Sequence, residues 1–302
     1  MKVIQKLRRY LSDQDYRFYI NARLGMYNNM SDQEYLTKMF KFRMRYELDL
    51  DNPKTYNEKL QWLKLFDRNP EYTKLVDKYL VKQHIQEVIG AEYVVPLLGV
   101  WENAKDIDFD KLPDQFVLKC NHDSQGVIVC NDKSKLDTHS TIKKLNKKLN
   151  KNYYLLYREW PYKNVKPKII AEKYLENKKT RGINDYKFYC FDGKVKIMMI
   201  ATERSTGNTK MDYFDRNFNH LELKWGGPQN HDLPEKPKSF ELMIKLAEQL
   251  SYGIRAVRID FYEVDGRPYF GEFTFFDGSG YVEMEPKYWD IKIGSWIDLS
   301  KI

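Results

Sequence analysis

"RIDFYEVDGRPYFGEFTFFDGSG", Arg258 to Gly280, reads as two strands around a turn, with Asp260 and Glu272 interrupting an aromatic and aliphatic pattern. Along the first strand Val257, Ile259 and Phe261 point one way, and Arg258, Asp260 and Tyr262 the other. Along the second, Phe270, Glu272 and Thr274 share a face. Whether the two acids meet depends on the parity of the loop. A two-residue Asp265-Gly266 turn sets Asp260 opposite Gly271 and leaves Glu272 on the other face. A three-residue loop sets Asp260 directly opposite Glu272, with Cβ atoms about 5 Å apart. Carboxylates that close repel unless a cation lies between them, and Mg²⁺ takes such oxygen ligands while sharing its shell with phosphates. The stretch alone leaves two readings open: solvent-facing acids of an ordinary hairpin, or a metal pair.

The surrounding chain has 302 residues, 42% hydrophobic and 15% aromatic, enough for a sizeable core in two domains or one lobed domain. Basic residues number 51 against 43 acidic, a net charge of +8. A modest excess of this kind suits small anions such as nucleotide phosphates or uronic acids, or an anionic membrane surface. No basic stripe is interleaved with aromatics, which argues against a nucleic-acid binder. "KKLNKKLNK" (Lys143–Lys151) reads as a solvated helix face. Cys120, Cys130 and Cys190 are far apart, form no C-x-x-C pair and are expected to be buried free thiols of a reducing compartment. With no signal peptide and no long apolar run, a cytoplasmic location is expected. "MKVIQKLRRYL" reads first as a surface helix, though its basic amphipathic pattern also suits peripheral contact with a membrane.

Helices are expected across residues 1–50, opening one of them at Ser31, then after the Asn52-Pro53 turn, and in one run through "PEYTKLVDKYLVKQHIQEVIG", which Gly90 ends. From "EYVVPLLGVW" onward short β-branched runs take over: "QFVLKC", "GVIVC", "KIIAEKYL" and a hairpin "DYKFYCFDGKVKIMMIATE" turning at Asp192-Gly193. Helices at Ser140–Asn150 and from Ser239 punctuate them. The pattern is α+β, a helical first part followed by a sheet-rich remainder.

Two further stretches carry chemistry. In "LPDQFVLKCNHDSQG", Lys119 ends a buried strand before a polar loop, placed as a point charge on phosphate with the amides of Ser124 to Gly126 wrapping over it. No GxxxxGK[ST] occurs, so this is not a P-loop. His122 lacks a second Cys/His cluster to make a metal site and is expected to cap the loop or touch substrate. In "IIAEKYLEN" an apolar strand runs into Glu172-Lys173-Tyr174-Leu175, a hinge that could offer backbone groups to an adenine edge.

In this order the pieces resemble the TupA-like family of the ATP-grasp superfamily, named for teichuronopeptide synthesis and associated with bacterial surface polysaccharides. The resemblance is carried over most of the chain by "NPKTYNEKLQWLKLFDR", "LVDKYLVKQHI", "IGAEYVVPLLGVW", "LPDQFVLKCNHDS", "IIAEKYLE", "DYKFYCFDGK" and "RIDFY…GEFTFFDGSGY". It implies an α+β fold of two subdomains gripping ATP, with a helical extension and pre-grasp region over residues 1–95 and the grasp domain over 96–302. Within that domain, 96–175 would form the first lobe and 176–302 the second, with the metal site. It also implies roles. Lys119 and Lys78 would face the phosphates, with Lys187 and Lys210 as further candidates. Glu172, Lys173 and Leu175 would read adenine, and Asp185 would bind ribose. Asp260 and Glu272 would hold Mg²⁺, and Arg258 would steady the transferring phosphate. Where the superfamily usually has Asn two residues after the glutamate, this chain has Thr274, a neutral hydroxyl and a weaker ligand. Asp277 and Ser279 in "FFDGSGY" would lie where an acceptor carboxylate arrives, with Gly126 and His122 on the grasp loop.

The activity so implied is ligation of an amine to a carboxylate on a glycan or its precursor, driven by ATP and Mg²⁺ through an acyl phosphate. A kinase that stops at phosphoryl transfer, and a non-catalytic glycan-binding assembly protein suggested by 23 tyrosines and 6 tryptophans, are the rival readings. With the upstream lysine strand in place, an odd-numbered loop at Asp265 is predicted, so that both acids face the phosphates.

Overall fold

The computed structural model describes residues 2–123, 126–177, 183–203 and 207–300. Its helices are α1 (Lys2–Ser12), α2 (Gln14–Arg23), α3 (Asp32–Met44), α4 (Tyr56–Phe66), α5 (Glu71–Val76), α6 (Val81–Val88), α7 (Thr138–Leu149), α8 (Tyr154–Tyr157), α9 (Phe240–Leu250) and α10 (Tyr288–Gly294). Its strands are β1 (Leu97–Trp101), β2 (Phe116–Cys120), β3 (Val127–Cys130), β4 (Ile169–Lys173), β5 (Asp185–Phe191), β6 (Lys194–Thr202), β7 (Lys210–Asp215), β8 (Lys224–Trp225), β9 (Ala256–Val264), β10 (Arg267–Thr274) and β11 (Met284–Glu285).

Side-chain caps set the helix starts. Ser31 accepts from the Glu34 amide at α3, and Thr55 and Glu58 cap α4 reciprocally. The single helix expected from Pro70 to Gly90 is two. Asp77 Oδ1 accepts from the amides of Tyr79 and Leu80, at 2.8 and 3.2 Å, and so closes a turn between α5 and α6. That break frees the Lys78 amide to donate to the Asn121 carbonyl at 3.1 Å, which pins Lys78 against the end of β2. Gly90, at φ 119°, ends α6 as expected.

Strands β1, β4, β2 and β3 make an antiparallel sheet in the order β1-β4-β2-β3, with Leu145 of α7 packed on Phe116, Leu118 and Ile169. A second antiparallel sheet has the order β10-β9-β5-β6-β7. On one of its faces Phe188, Ile259 and Phe261 are fully buried, with Phe240 of α9 packed against Phe188. Each such side chain contributes roughly 1.5–3 kcal/mol by leaving water. The same core takes in Tyr56, Leu60 and Leu63 of α4, Ile85 of α6 and Trp289 of α10. Helices α2 and α3 make a smaller core of their own around Tyr35, Leu36, Met39 and Phe40, closed by Tyr281. Cys120, Cys130 and Cys190 are buried free thiols, as expected. Among the described residues no helix is long and apolar enough to cross a membrane.

The hairpin that opened the sequence reading corrects one expectation. The loop is even: Val264 pairs with Arg267 around a two-residue Asp265-Gly266 turn whose φ angles are 52° and 83°. Positive φ at both positions gives a turn whose twist matches that of the strands. The parity is restored further along, where the register shifts by one residue at Gly271, so that Phe261 pairs with Phe270 but Asp260 with Glu272. A β-bulge thus does what an odd loop was expected to do. A larger residue there would press on β9, because a Cβ on Gly271 would lie 3.1 Å from the Asp260 carbonyl oxygen and 3.3 Å from the Asp260 Cβ.

Candidate active site

Register alone assembles the first half of the site. Across β10, β9 and β5 one row runs Glu272, Asp260, Lys187, and the next runs Thr274, Arg258, Tyr189. All six project from the face opposite Phe188 and Ile259, because residues two apart on a strand share a face. Arg258 donates from Nε to Asp260 Oδ1 at 2.7 Å and from Nη2 to Asp260 Oδ2 at 2.8 Å. Its Nη2 also reaches Thr274 Oγ1 at 3.0 Å and Glu272 Oε1 at 3.2 Å, while Nη1 pairs with Asp277. Lys187 pairs with Asp260 and, at 2.6 Å, with Asp185. Tyr189 donates to the second oxygen of Asp277 at 2.9 Å.

Charges this deep are costly unless paired, and hydrophobic residues would serve stability as well or better. Burial pushes the Asp260 carboxyl above its ordinary value, with Arg258 and Lys187 pulling it back. Burial acts on Glu272 in the same direction. Lys78, then Arg258, Lys187 and Lys119, more than offset it and hold Glu272 down at about 2. In this half four carboxylates (Asp185, Asp260, Glu272, Asp277) meet three cations (Lys187, Arg258, and Lys78, which lies 3.6 Å from Glu272). The face is one positive charge short.

The first sheet supplies the other half. Glu172 on β4 is buried between Lys119 of β2, at 2.6 Å, and Lys82 of α6, at 2.5 Å. Burial opposes ionisation of Glu172, but the two lysines prevail and its carboxyl stays below the ordinary range. Two cations share one carboxylate, so this face is one negative charge short. Where the halves meet, Lys78, Lys82, Lys119 and Glu172 line a narrow cleft together with Val81, Ile85, Val94, Val95, Phe270 and Gly271. Lys78 bridges the halves, donating to the Asp123 carbonyl at 3.1 Å while facing Glu272.

The expected residues divide accordingly. Arg258, Asp260, Glu272, Thr274, Lys187, Asp185 and Asp277 come together on the second sheet, Lys119 and Glu172 on the opposing wall, and Lys78 between them. Lys173 is exposed at the end of β4, where its amide bonds to the Pro96 carbonyl, and Leu175 follows half-buried. Lys210 begins β7, two strands outward from Lys187, and pairs in register with Thr202. His122 is buried between Asn121 Oδ1 and the Lys151 carbonyl, each 3.3 Å away, so it ties the loop to the end of α7. Burial holds its imidazole below the ordinary value. The Gly126 carbonyl accepts from the Cys120 amide at 3.0 Å, and Ser124 lies outside the described residues.

Reading the sequence missed the support of the "DGSG" turn. Gly278, Ser279 and Gly280 all have positive φ, 54°, 57° and 66°. Gln61 Nε2 donates to the carbonyls of Ser279 and Gly280 at 3.1 and 3.0 Å, and Lys64 Nζ donates to Ser279 O at 2.8 Å. The Ser279 hydroxyl donates to buried Glu159. Burial lowers Lys64 to about 7 and raises Glu159. Gln61 and Lys64 lie on one face of α4, more than 200 positions from the turn they hold, and no local signal announces that contact. Lys82 was missed too, although it stands four residues beyond Lys78.

Among solved structures, D-alanine–D-alanine ligase from Bacillus anthracis complexed with ATP shares 16% identity over 67% of this chain and 55% of that one, with a TM-score of 0.39. The D-alanine–D-alanine ligase of Helicobacter pylori gives 13%, 80%, 65% and 0.44, and the ATP-grasp ligase PsnB with minimal precursor, Mg and ADP gives 11%, 84%, 68% and 0.38. The chain therefore spans little more than half to two thirds of these proteins, and at such distances nothing about substrate passes from them to it. No curated protein matches the chain by sequence. The family described as TupA-like ATPgrasp matches residues 58–298, the span that holds both halves of the cleft. The chain belongs to the TupA-like ATP-grasp family.

Proposed function

We propose that this protein is an ATP-dependent carboxylate–amine ligase acting on a carboxylate of a bacterial capsular or cell-surface polysaccharide or its precursor. The observation that carries the reading is the opposed charge of the two cleft walls: one lacks a cation, the other an anion. Mg²⁺ together with a nucleotide polyphosphate supplies both. Asp260 and Glu272 would hold the metal, with Thr274 beside them. Among the described residues no group of three or more His, Cys, Asp or Glu side chains is placed to hold one ion, so phosphate oxygens and water would complete the shell, as Mg²⁺ commonly allows. The donor set is all oxygen and Glu272 is held ionised, which fits a hard cation.

When bound, Mg²⁺ neutralises charge that develops on the phosphates. The chain's own residues do the rest by position. Lys119, Lys82 and Lys78 would exchange part of their pairing with Glu172 and Glu272 for phosphate oxygens. Arg258, steered by Asp260 and Asp277, would stay aimed at the group in transfer. The carboxylate oxygen of the glycan attacks the γ-phosphorus and ADP leaves. An amine then attacks the acyl carbon of the resulting acyl phosphate and inorganic phosphate leaves. Residues 96–175 and 176–302 would act as the two lobes, and a cytoplasmic place at the inner membrane face goes with a precursor substrate.

The reading is tested by analysing the surface polysaccharide of cells with and without the protein. An amide-linked amino acid that disappears supports the ligase. ADP release that does not change when amine is withheld would point instead to a kinase. Titration calorimetry that detects no heat with millimolar Mg-ATP would sink both.

A further inference from the structure

Among its described side chains, residues 5–12, helix α1 buries little. Leu7 and Leu11, one turn apart on one face, are 59% and 66% exposed, and none of residues 5–12 belongs to any of the three cores. Tyr10 donates to Asn21 of α2 at 2.8 Å and Arg9 lies over the Tyr16 ring, which holds α1 against α2 with both leucines exposed. An eleven-residue helix with so little burial is marginal in water, so its apolar face calls for a covering surface. Charge says which kind. Between Lys2 and Ser12 there are four basic residues and no acid, and Lys6 and Arg8 fall on either side of Leu7 on the helix surface. Arg9 is engaged elsewhere, over the Tyr16 ring and 3.2 Å from Asp13. Leu24 and Met26, 73% and 66% exposed after α2, add further apolar surface to the same part of the molecule.

We propose that α1 lies on the surface of an anionic lipid bilayer, with Leu7 and Leu11 in the headgroup–acyl boundary and Lys6 and Arg8 against the phosphates. A protein partner would need an acidic groove of matching shape, whereas a bilayer offers apolar depth and negative charge together. This surface is separate from the nucleotide cleft, so the inference stands or falls apart from the proposed ligase activity.

Flotation of the full chain with vesicles tests it. Vesicles of phosphatidylglycerol and phosphatidylcholine in equal parts should retain at least ~10-fold more protein than phosphatidylcholine alone, and raising salt should release it. Leu7→Glu with Leu11→Glu should lower retention by a similar factor while leaving Mg-ATP binding and the thermal midpoint unchanged, since neither residue reaches a core. Lys6→Glu with Arg8→Glu keeps both leucines and should lose retention on charge grounds alone, which decides the matter should the first variant misfold. Equal recovery on both vesicle types, or full retention by the charge variant, overturns the proposal. So does a dimer in gel filtration that the leucine variant dissociates, because a second copy would then cover the face.

Discussion

The protein contains two hairpins built on the same plan. β5–β6 turns at Asp192-Gly193, with φ 48° and 72°, and β9–β10 turns at Asp265-Gly266, with φ 52° and 83°. Each then carries one unpaired residue on its second strand: Lys196 between the partners of Cys190 and Tyr189, and Gly271 between the partners of Phe261 and Asp260. The consequences differ. Beyond Lys196, β6 runs from Ile197 to Ala201 with every residue buried and apolar, so a change of parity exchanges one apolar side chain for another. Beyond Gly271, parity decides whether Glu272 and Thr274 meet Asp260 and Arg258 or enter the apolar layer under α9. The same backbone device is nearly silent in one hairpin and decisive in the other. Its weight comes from the chemistry of the side chains it turns.

Variants can break that comparison. The largest effect on stability is expected from Arg258→Met, which leaves Asp260 and Asp277 buried without the guanidinium they share and should cost about 3–5 kcal/mol in a denaturant titration. A midpoint within error of the parent would mean that these charges are not paired as described. Glu272→Gln keeps the shape of the hairpin and replaces one oxygen of the proposed Mg²⁺ ligand with an amide nitrogen. Turnover of Mg-ATP, followed as ADP release, should fall by about 100- to 1,000-fold. At the bulge itself, Gly271→Val forces a side chain against the backbone of β9 and should destabilise by about 1–3 kcal/mol, with weaker Mg-ATP binding in calorimetry. The matching change in the other hairpin, Lys196→Val, should stay within about 0.5 kcal/mol. If the two valines behave alike, the contrast between the hairpins fails.

Glu172, outside both hairpins, gives the smallest and most specific test. Its folded carboxyl titrates below the ordinary value because of Lys119 and Lys82. The stability it contributes is therefore complete above the ordinary glutamate value of 4.5 and is lost as pH falls through its lowered folded value. Stability measured from pH 6 downward should drop more steeply in the parent than in Glu172→Gln. Parallel curves would show that the lysines do not act on it.

Much of this was legible in the residues. Alternation along "VRIDFY" put Arg258 and Asp260 on one face, and the turn residues marked both hairpins. "FVLKC" set Lys119 at the end of a buried strand. Two short-range errors have local causes. Asp77 caps its own turn with one side-chain oxygen and splits a helix that apolar periodicity alone runs together. Gly271 looked like an ordinary glycine in a strand, although glycine inside a strand is a known mark of a bulge. The support of the "DGSG" turn was beyond reach for another reason, since Gln61 and Lys64 meet it only when α4 docks.

The sequence by itself therefore determined the elements, the alternation of faces and the family, because these depend on spacing, turn residues and motif order along the chain. The tertiary structure alone decided that Glu272 faces Asp260, that Lys82 shares Glu172 with Lys119, and that one wall of the cleft is short of a cation and the other of an anion. Each of these rests on strand register and on the meeting of two sheets. A shift of one residue inverts such outcomes while leaving local propensity almost unchanged.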